Sequence, residues 1–146
     1  MFRTAIIGFA LASAIATGAF AETHDIRMLN RGENGEVMVF DPASLQIAPG
    51  DTVRFVATDR GHNAEAILEM TPEGADAFKG RINEEIEIIF DTEGLYGIKC
   101  APHYAMGMVM TVAVGEVTEV PEEYLAGRIP PNAMERFVTQ IEELGL

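Results

Sequence analysis

The stretch Gly94-Leu95-Tyr96-Gly97-Ile98-Lys99-Cys100-Ala101-Pro102-His103-Tyr104-Ala105-Met106-Gly107-Met108-Val109-Met110-Thr111-Val112-Ala113-Val114 reads as strand, short loop, strand. Gly94–Lys99 and Met108–Val114 are rich in the β-branched and aromatic residues that suit a pleated surface. Pro102 and Gly107 interrupt the pattern between them. Cys100 therefore stands at the end of one strand and Met108 at the start of the next, with His103 on the connecting loop.

Similar runs recur along the chain. Ile26–Leu29, Glu36–Phe40, Ser44–Ile47, Thr52–Ala57 and Glu85–Phe90 are separated by the turn clusters Asn30-Arg31-Gly32, Asp41-Pro42, Ala48-Pro49-Gly50-Asp51, Asp59-Arg60-Gly61 and Asp91-Thr92-Glu93-Gly94. Short strands at this spacing predict an all-β sandwich or barrel. Val53, Phe55 and Ala57 alternate with Arg54 and Val56, and Ile86, Ile88 and Phe90 alternate with Glu85, Glu87 and Ile89, so each strand has one buried face. A short inserted helix is expected within Thr71–Lys79. After Pro130-Pro131 the period changes. Met134, Phe137, Val138, Ile141 and Leu144 form an apolar stripe, with Glu135, Arg136, Gln140, Glu142 and Glu143 on the other side. A first, shorter helix is expected from near Pro121. The two C-terminal helices are expected to pack back on the sandwich, because a helix cannot bury such a stripe alone.

The N-terminus belongs to another class of segment. Met1-Phe2-Arg3 is basic, Ala5–Ala16 is apolar and uncharged, and Ala19-Phe20-Ala21 has the small-x-small form of a cleavage site. Residues 1–21 are read as a secretory signal peptide, leaving Glu22–Leu146 as one domain. The apolar run is short for a membrane span, so an exported, soluble protein with no membrane insertion is expected. Ten lysines and arginines against 23 acids give a net charge of −13. A chain so acidic is not built for the phosphates of nucleic acid.

Cys100 is the only cysteine, so no internal disulfide is possible, and a free thiol in an oxidising compartment is vulnerable. A bound metal would keep its sulfur deprotonated and protected. His103 and either Met106 or Met108 stand within the same nine residues. Gly61-His62-Asn63 offers a second imidazole from a different loop. One thiolate, two imidazoles and a weak axial thioether are the donor set of a copper site built for electron transfer. His24, the remaining histidine, is read as an exposed tail residue.

Gly-His-Asn followed by Cys-x-Pro-His-Tyr-Ala-Met-Gly-Met closely resembles the pseudoazurins, small blue copper proteins of the cupredoxin family. Met28-Leu29-Asn30, Met38-Val39-Phe40, Pro49-Gly50-Asp51-Thr52-Val53, Pro72-Glu73-Gly74-Ala75 and Ile82-Asn83-Glu84 extend the likeness from about Asp25 through the C-terminal helices. The resemblance implies a Greek-key β-sandwich of about eight strands with two C-terminal helices. It implies one type 1 copper ion held by His62, Cys100 and His103, with Met108 axial. Met106 competes, because the related amicyanins use that spacing with a shorter loop. The family places an asparagine at Asn63 to tie the ligand loops together, and Pro102 stiffens the loop beside the sulfur.

In the family, the C-terminal histidine reaches the surface through an apolar patch, for which Ala105 and Met106 are candidates here. Arg31, Lys79 and Arg81 match positions where the family carries lysines, and Arg60 and Lys99 lie beside ligands. A basic docking ring on an acidic molecule is the resulting expectation. The implied partners are redox proteins: a periplasmic nitrite reductase as acceptor, in denitrification, and a c-type cytochrome as donor. A monomer is expected. An enzyme is not, since four protein ligands leave the metal no position for substrate and only His24 remains to build another centre. A cysteine hydrolase would need an oxyanion arrangement that is not visible. The other class is a periplasmic copper carrier, for which Met106, Met108 and Met110 could form a Cu(I) site.

Overall fold

The computed structural model describes residues 19–146, so the expected leader lies outside the described residues except for its last three. Among the described residues, eight strands form: β1 (Thr23–Arg31), β2 (Val37–Asp41), β3 (Ser44–Ile47), β4 (Asp51–Val56), β5 (Glu65–Ala66), β6 (Ile86–Phe90), β7 (Gly94–Lys99) and β8 (Val109–Val114). They make two four-stranded sheets, ordered β2-β1-β4-β6 and β3-β8-β7-β5. Both sheets are mixed. β1 runs parallel to β4 and antiparallel to β2, while β8 runs parallel to β3 and antiparallel to β7. The expected β-sandwich is the fold observed, with β3 and β7 at their expected bounds and the other expected strands displaced by one to three residues at an end. β5 is a new element. Two residues are too few to show a period.

The main core lies between the sheets and includes Ile26, Met28, Phe40, Val53, Phe55, Phe90, Tyr96, Ile98, Met110, Val112 and Val114. All six residues of β8 are buried, because both of its faces are covered. Met110, Val112 and Val114 point into the sandwich. Val109 and Ala113 join a second cluster with Tyr124, Ala133, Phe137 and Ile141 from the C-terminal segment. Burying a side chain the size of Phe137 is worth about 1.5–3 kcal/mol, which is what holds the tail on the sheet.

Three expectations about helices need correction. One C-terminal helix forms, α1 (Pro131–Glu143), not two. The segment after Pro121 is a series of tight turns closed by Tyr124 N–H to Pro121 O (3.0 Å) and Ala126 N–H to Glu123 O (3.2 Å). Thr71–Lys79 holds no helix; the single 3-10 turn there spans Leu68–Met70, just upstream. In α1, the helical pattern places Gln140 on the polar face and Val138 on the apolar one, but Gln140 is buried and Val138 exposed. Gln140 Nε2 donates to Val109 O (2.9 Å), and its Oε1 accepts from the Thr111 hydroxyl (3.0 Å), which in turn accepts from the Tyr124 hydroxyl (3.2 Å). This chain of hydrogen bonds satisfies the polar groups between β8 and α1. Burial pushes the Tyr124 phenol far above its ordinary range.

Candidate metal centre

β7 and β8 are joined by a 3-10 segment, Ala101–Met106, which begins directly after Cys100. His103 leaves helical geometry at φ −118°. The loop is locked at both ends: Cys100 N–H donates to Met108 O (2.9 Å) and Met108 N–H to His103 O (3.1 Å). Gly107 closes it at φ +92°. A side chain there would be strained and would meet Asn132 O at 3.0 Å, so the turn into Met108 requires glycine.

His62 comes from the β4–β5 connection. Its loop is held by Asn83 on both sides, with Gly61 N–H donating to Asn83 Oδ1 (2.6 Å) and Asn83 N–H to His62 O (2.8 Å). Gly61, at φ +93°, makes the turn.

These two loops bring three donor atoms together. His62 Nδ1 and His103 Nδ1 are 3.1 Å apart, and Cys100 Sγ lies 3.7 Å from the first and 3.5 Å from the second. The point equidistant from the three is about 2 Å from each, a bond length for a first-row metal with nitrogen and sulfur. The fit to a trigonal metal is thus geometric as well as chemical. His62 and Cys100 are fully buried. Burial, with a smaller contribution from His103, depresses the His62 imidazole, so it is neutral, the form that ligates. Burial pushes the Cys100 thiol up, against the opposing backbone N–H groups of Asn63 and His103. Such a sulfur becomes a thiolate readily only when a cation takes it.

Exposure separates the two methionines: Met108 is 0 % exposed at the base of the loop, whereas Met106 is 43 % exposed. Asn63 bridges the loops, its Oδ1 accepting from Ala101 N–H (2.7 Å) and its Nδ2 donating to Gly80 O (3.0 Å) and Glu65 Oε2 (3.0 Å). Pro102 is exposed in the first turn of the ligand loop. One participant escaped the sequence reading. Asn30 Oδ1 accepts from His62 Nε2 (2.9 Å), which fixes the tautomer and leaves the lone pair on Nδ1 facing the centre. An asparagine at a strand end next to Arg31-Gly32 carries only a turn signal.

Each of the five basic residues stands one or two positions from a residue of this network. Arg31 follows Asn30, Arg60 precedes His62, Lys79 and Arg81 flank Gly80, and Lys99 precedes Cys100. Arg31, Arg60, Lys79 and Arg81 are exposed. Lys99 and Lys79 both approach the buried Glu65 carboxylate, at 3.4 Å and 3.8 Å, and Lys99 also lies over the Tyr104 ring. Ala101, Pro102, Ala105 and Met106 are exposed around the half-buried His103. His24 corrects its expectation: it is part of β1, half-buried, and its Nε2 donates to Asp51 Oδ2 (2.9 Å). Among the described residues, no helix is long and apolar enough to cross a membrane.

Comparison with known proteins agrees with this geometry. The family of copper binding proteins described as plastocyanin/azurin matches residues 26–115. Pseudoazurin of Paracoccus pantotrophus is 44 % identical over 131 residues, covering 90 % of this chain and 90 % of that protein. Pseudoazurin of Methylorubrum extorquens is 50 % identical over 118 residues, covering 80 % of this chain and 79 % of that protein. Among solved structures, pseudoazurin from Methylobacterium extorquens superposes with a TM-score of 0.78 at 41 % identity, covering 84 % of this chain and 98 % of that one.

Proposed function

We propose a specific role on one premise: the chain belongs to the plastocyanin/azurin family of copper-binding proteins, and within it to the pseudoazurins. Its cofactor is accordingly one type 1 copper ion, and its activity is electron transfer with redox proteins. His62 Nδ1, Cys100 Sγ and His103 Nδ1 would hold the ion, with the Met108 thioether as a fourth, weaker donor. The observation that carries this is the triangle of donors, 3.1–3.7 Å on a side, preformed at the end of the sandwich.

Copper bound there supplies one-electron exchange between Cu(II) and Cu(I). The residues do the rest. The loop bonds Cys100–Met108 and the Asn63 and Asn30 bridges keep the donors in place in both oxidation states, so little has to move when the electron does. The burial of His62, Cys100 and Met108 excludes water and leaves no open coordination position for a substrate. The half-buried His103 ring, surrounded by Ala101, Pro102, Ala105 and Met106, is the route to the surface. Electron-transfer encounters use small, short-lived interfaces of this kind. Arg31, Arg60, Lys79, Arg81 and Lys99 guide an acidic partner to it. The acceptor is a nitrite reductase and the donor a c-type cytochrome. The protein works as a monomer in the periplasm, after removal of residues 1–21.

The deciding experiment is the visible and EPR spectrum of the protein loaded with one equivalent of Cu(II). An intense blue thiolate band with small copper hyperfine splitting is expected, and it should disappear in Cys100→Ser. A colourless protein that takes Cu(I) tightly would replace this reading with a copper carrier.

A further inference from the structure

Outside the copper centre, one other group of metal-competent side chains exists among the described residues: Glu22, His24 and Asp51. The electron-transfer site uses none of them. Asp51 is 5 % exposed and gathers the start of the domain onto one carboxylate. Its Oδ1 accepts from the Glu22 backbone nitrogen (2.9 Å), and its Oδ2 accepts from His24 Nε2 (2.9 Å) and Ala48 N–H (3.2 Å). An ionised carboxylate only accepts, so Nε2 donates a ring proton to it, and Nδ1 is the ring nitrogen left for a metal.

If the leader is cut after Ala21, as proposed above, the Glu22 nitrogen is no longer an amide but a free α-amine. His24 then stands third from that amine. We propose that the amino end Glu22-Thr23-His24 is a second metal site, specific for Cu(II) or Ni(II). The donors are four nitrogens: the α-amine, the backbone nitrogens of Thr23 and His24, and His24 Nδ1. They close three fused chelate rings in one plane. Cu(II) and Ni(II) are the ions that favour square-planar nitrogen coordination. Binding forms four metal–nitrogen bonds and releases the two amide protons, with the ammonium proton where the amine was still charged. No electron changes hands. With no sulfur in the set, Cu(I) is not favoured, so this ion does not share the redox role of the blue centre.

The sheet opposes the site and sets its strength. Thr52 N–H donates to Glu22 O (2.8 Å), and Thr23 and His24 are in register with Thr52 and Val53 of β4. An extended strand cannot turn three consecutive nitrogens toward one point, so binding lifts Glu22–His24 off β4. That movement is local. β2 pairs with β1 only from Arg27 onward, so the first residues of β1 have a strand neighbour on one side alone. The apparent affinity is therefore weaker than for the same three residues on a free peptide.

The test uses the exported protein, loaded first with one equivalent of copper, and Ni(II) as the probe. Intact mass locates the amino end. A start other than Glu22 removes the required amine and overturns both the cleavage reading and the site. With Glu22 first, native mass spectrometry should show one nickel per copper-loaded chain, with the blue band unchanged. Binding should fall to none in His24→Gln and in a variant carrying one glycine between Ala21 and Glu22, with the amino end of that variant checked by mass. Nickel retained by the glycine-extended protein would mean that side chains alone bind it, and no nickel in the parent protein would mean that the sheet holds the strand too firmly. Either result overturns the site while leaving the cleavage reading and the blue centre intact.

Discussion

At the scale of single residues, the axial position is the most open to test. Met106 and Met108 are both sulfur donors near His103, and their spacings fit two related copper loops. Burial favours Met108, which sits at the start of β8, while Met106 stands 43 % exposed among the surface residues of the loop. Met108→Ala should therefore shift the visible and EPR spectra of the copper protein strongly and leave a cavity, at about 2–5 kcal/mol. Met106→Ala should leave the spectrum unchanged and alter only encounter with a partner. The reverse pattern would sink the assignment. The two asparagines should separate in a different way. Asn63→Ala strands Ala101 N–H and the carbonyl of the buried Gly80, at about 1–3 kcal/mol for a buried group left unpaired, visible as a lowered melting temperature. Asn30→Ala frees the His62 ring and should cost copper affinity, by about 10–100-fold, with a smaller effect on folding because Asn30 is exposed. Equal stability losses for both would contradict these roles. Cys100, His103 and the methionines were legible because one loop carries them all. His62, 38 residues earlier, was legible only because that loop lacked a second imidazole. Asn30 was not, since its role depends on two strands meeting and its local pattern is that of a turn.

At the scale of elements, β8 explains both what the pattern revealed and what it concealed. Seven consecutive residues, Met108 to Val114, are buried, so no polar–apolar alternation marks the two faces. The strand is visible by composition and bounds, but its second partner is not. That partner is α1, and the contact is made through Gln140, which a helical-wheel reading sends to the solvent side, together with Thr111 of β8 and Tyr124. The turns after Pro121 misled in the same way. Glu122 to Ala126 look helical by propensity, but Gly127 ends the run after too few residues to sustain a helix. Tyr124 is instead fixed by its hydroxyl bond to Thr111 and by the Phe137 ring, 6.1 Å away. Phe137→Ala should destabilise by about 3–5 kcal/mol. Gln140→Ala should cost about 1–3 kcal/mol, because Val109 O and the Thr111 hydroxyl lose their partner. Both should lower the melting temperature of the copper-free protein while leaving the blue spectrum of the loaded protein intact. A melt insensitive to Phe137→Ala would mean that α1 is only loosely attached.

At the scale of the whole molecule, charge has to act against its own average. The net charge is −13, yet the residues next to the metal network in the chain include Arg31, Arg60, Lys79, Arg81 and Lys99. One carboxylate reduces that local excess: Glu65 is within 4 Å of both lysines and also accepts from Asn63. The proposed docking face is thus less positive than a count of its cations suggests, and Glu65 couples it, through Asn63, to the loop that holds Cys100. Three outcomes follow for electron transfer to an acidic acceptor, read by stopped flow across a range of salt. The parent rate should fall as ionic strength rises, since the screening length shrinks from about 10 Å at 0.1 M to about 3 Å at 1 M. Glu65→Gln keeps an acceptor for Asn63 and removes the negative charge, so its rate should exceed the parent's at low salt and converge with it at high salt. Lys79→Gln, at a side chain 78 % exposed, should do the opposite without touching the spectrum. A parent rate that ignores salt, or a Glu65→Gln protein slower than the parent at low salt with an unchanged blue band, would remove the basic face from the mechanism and leave docking to the apolar residues around His103 alone.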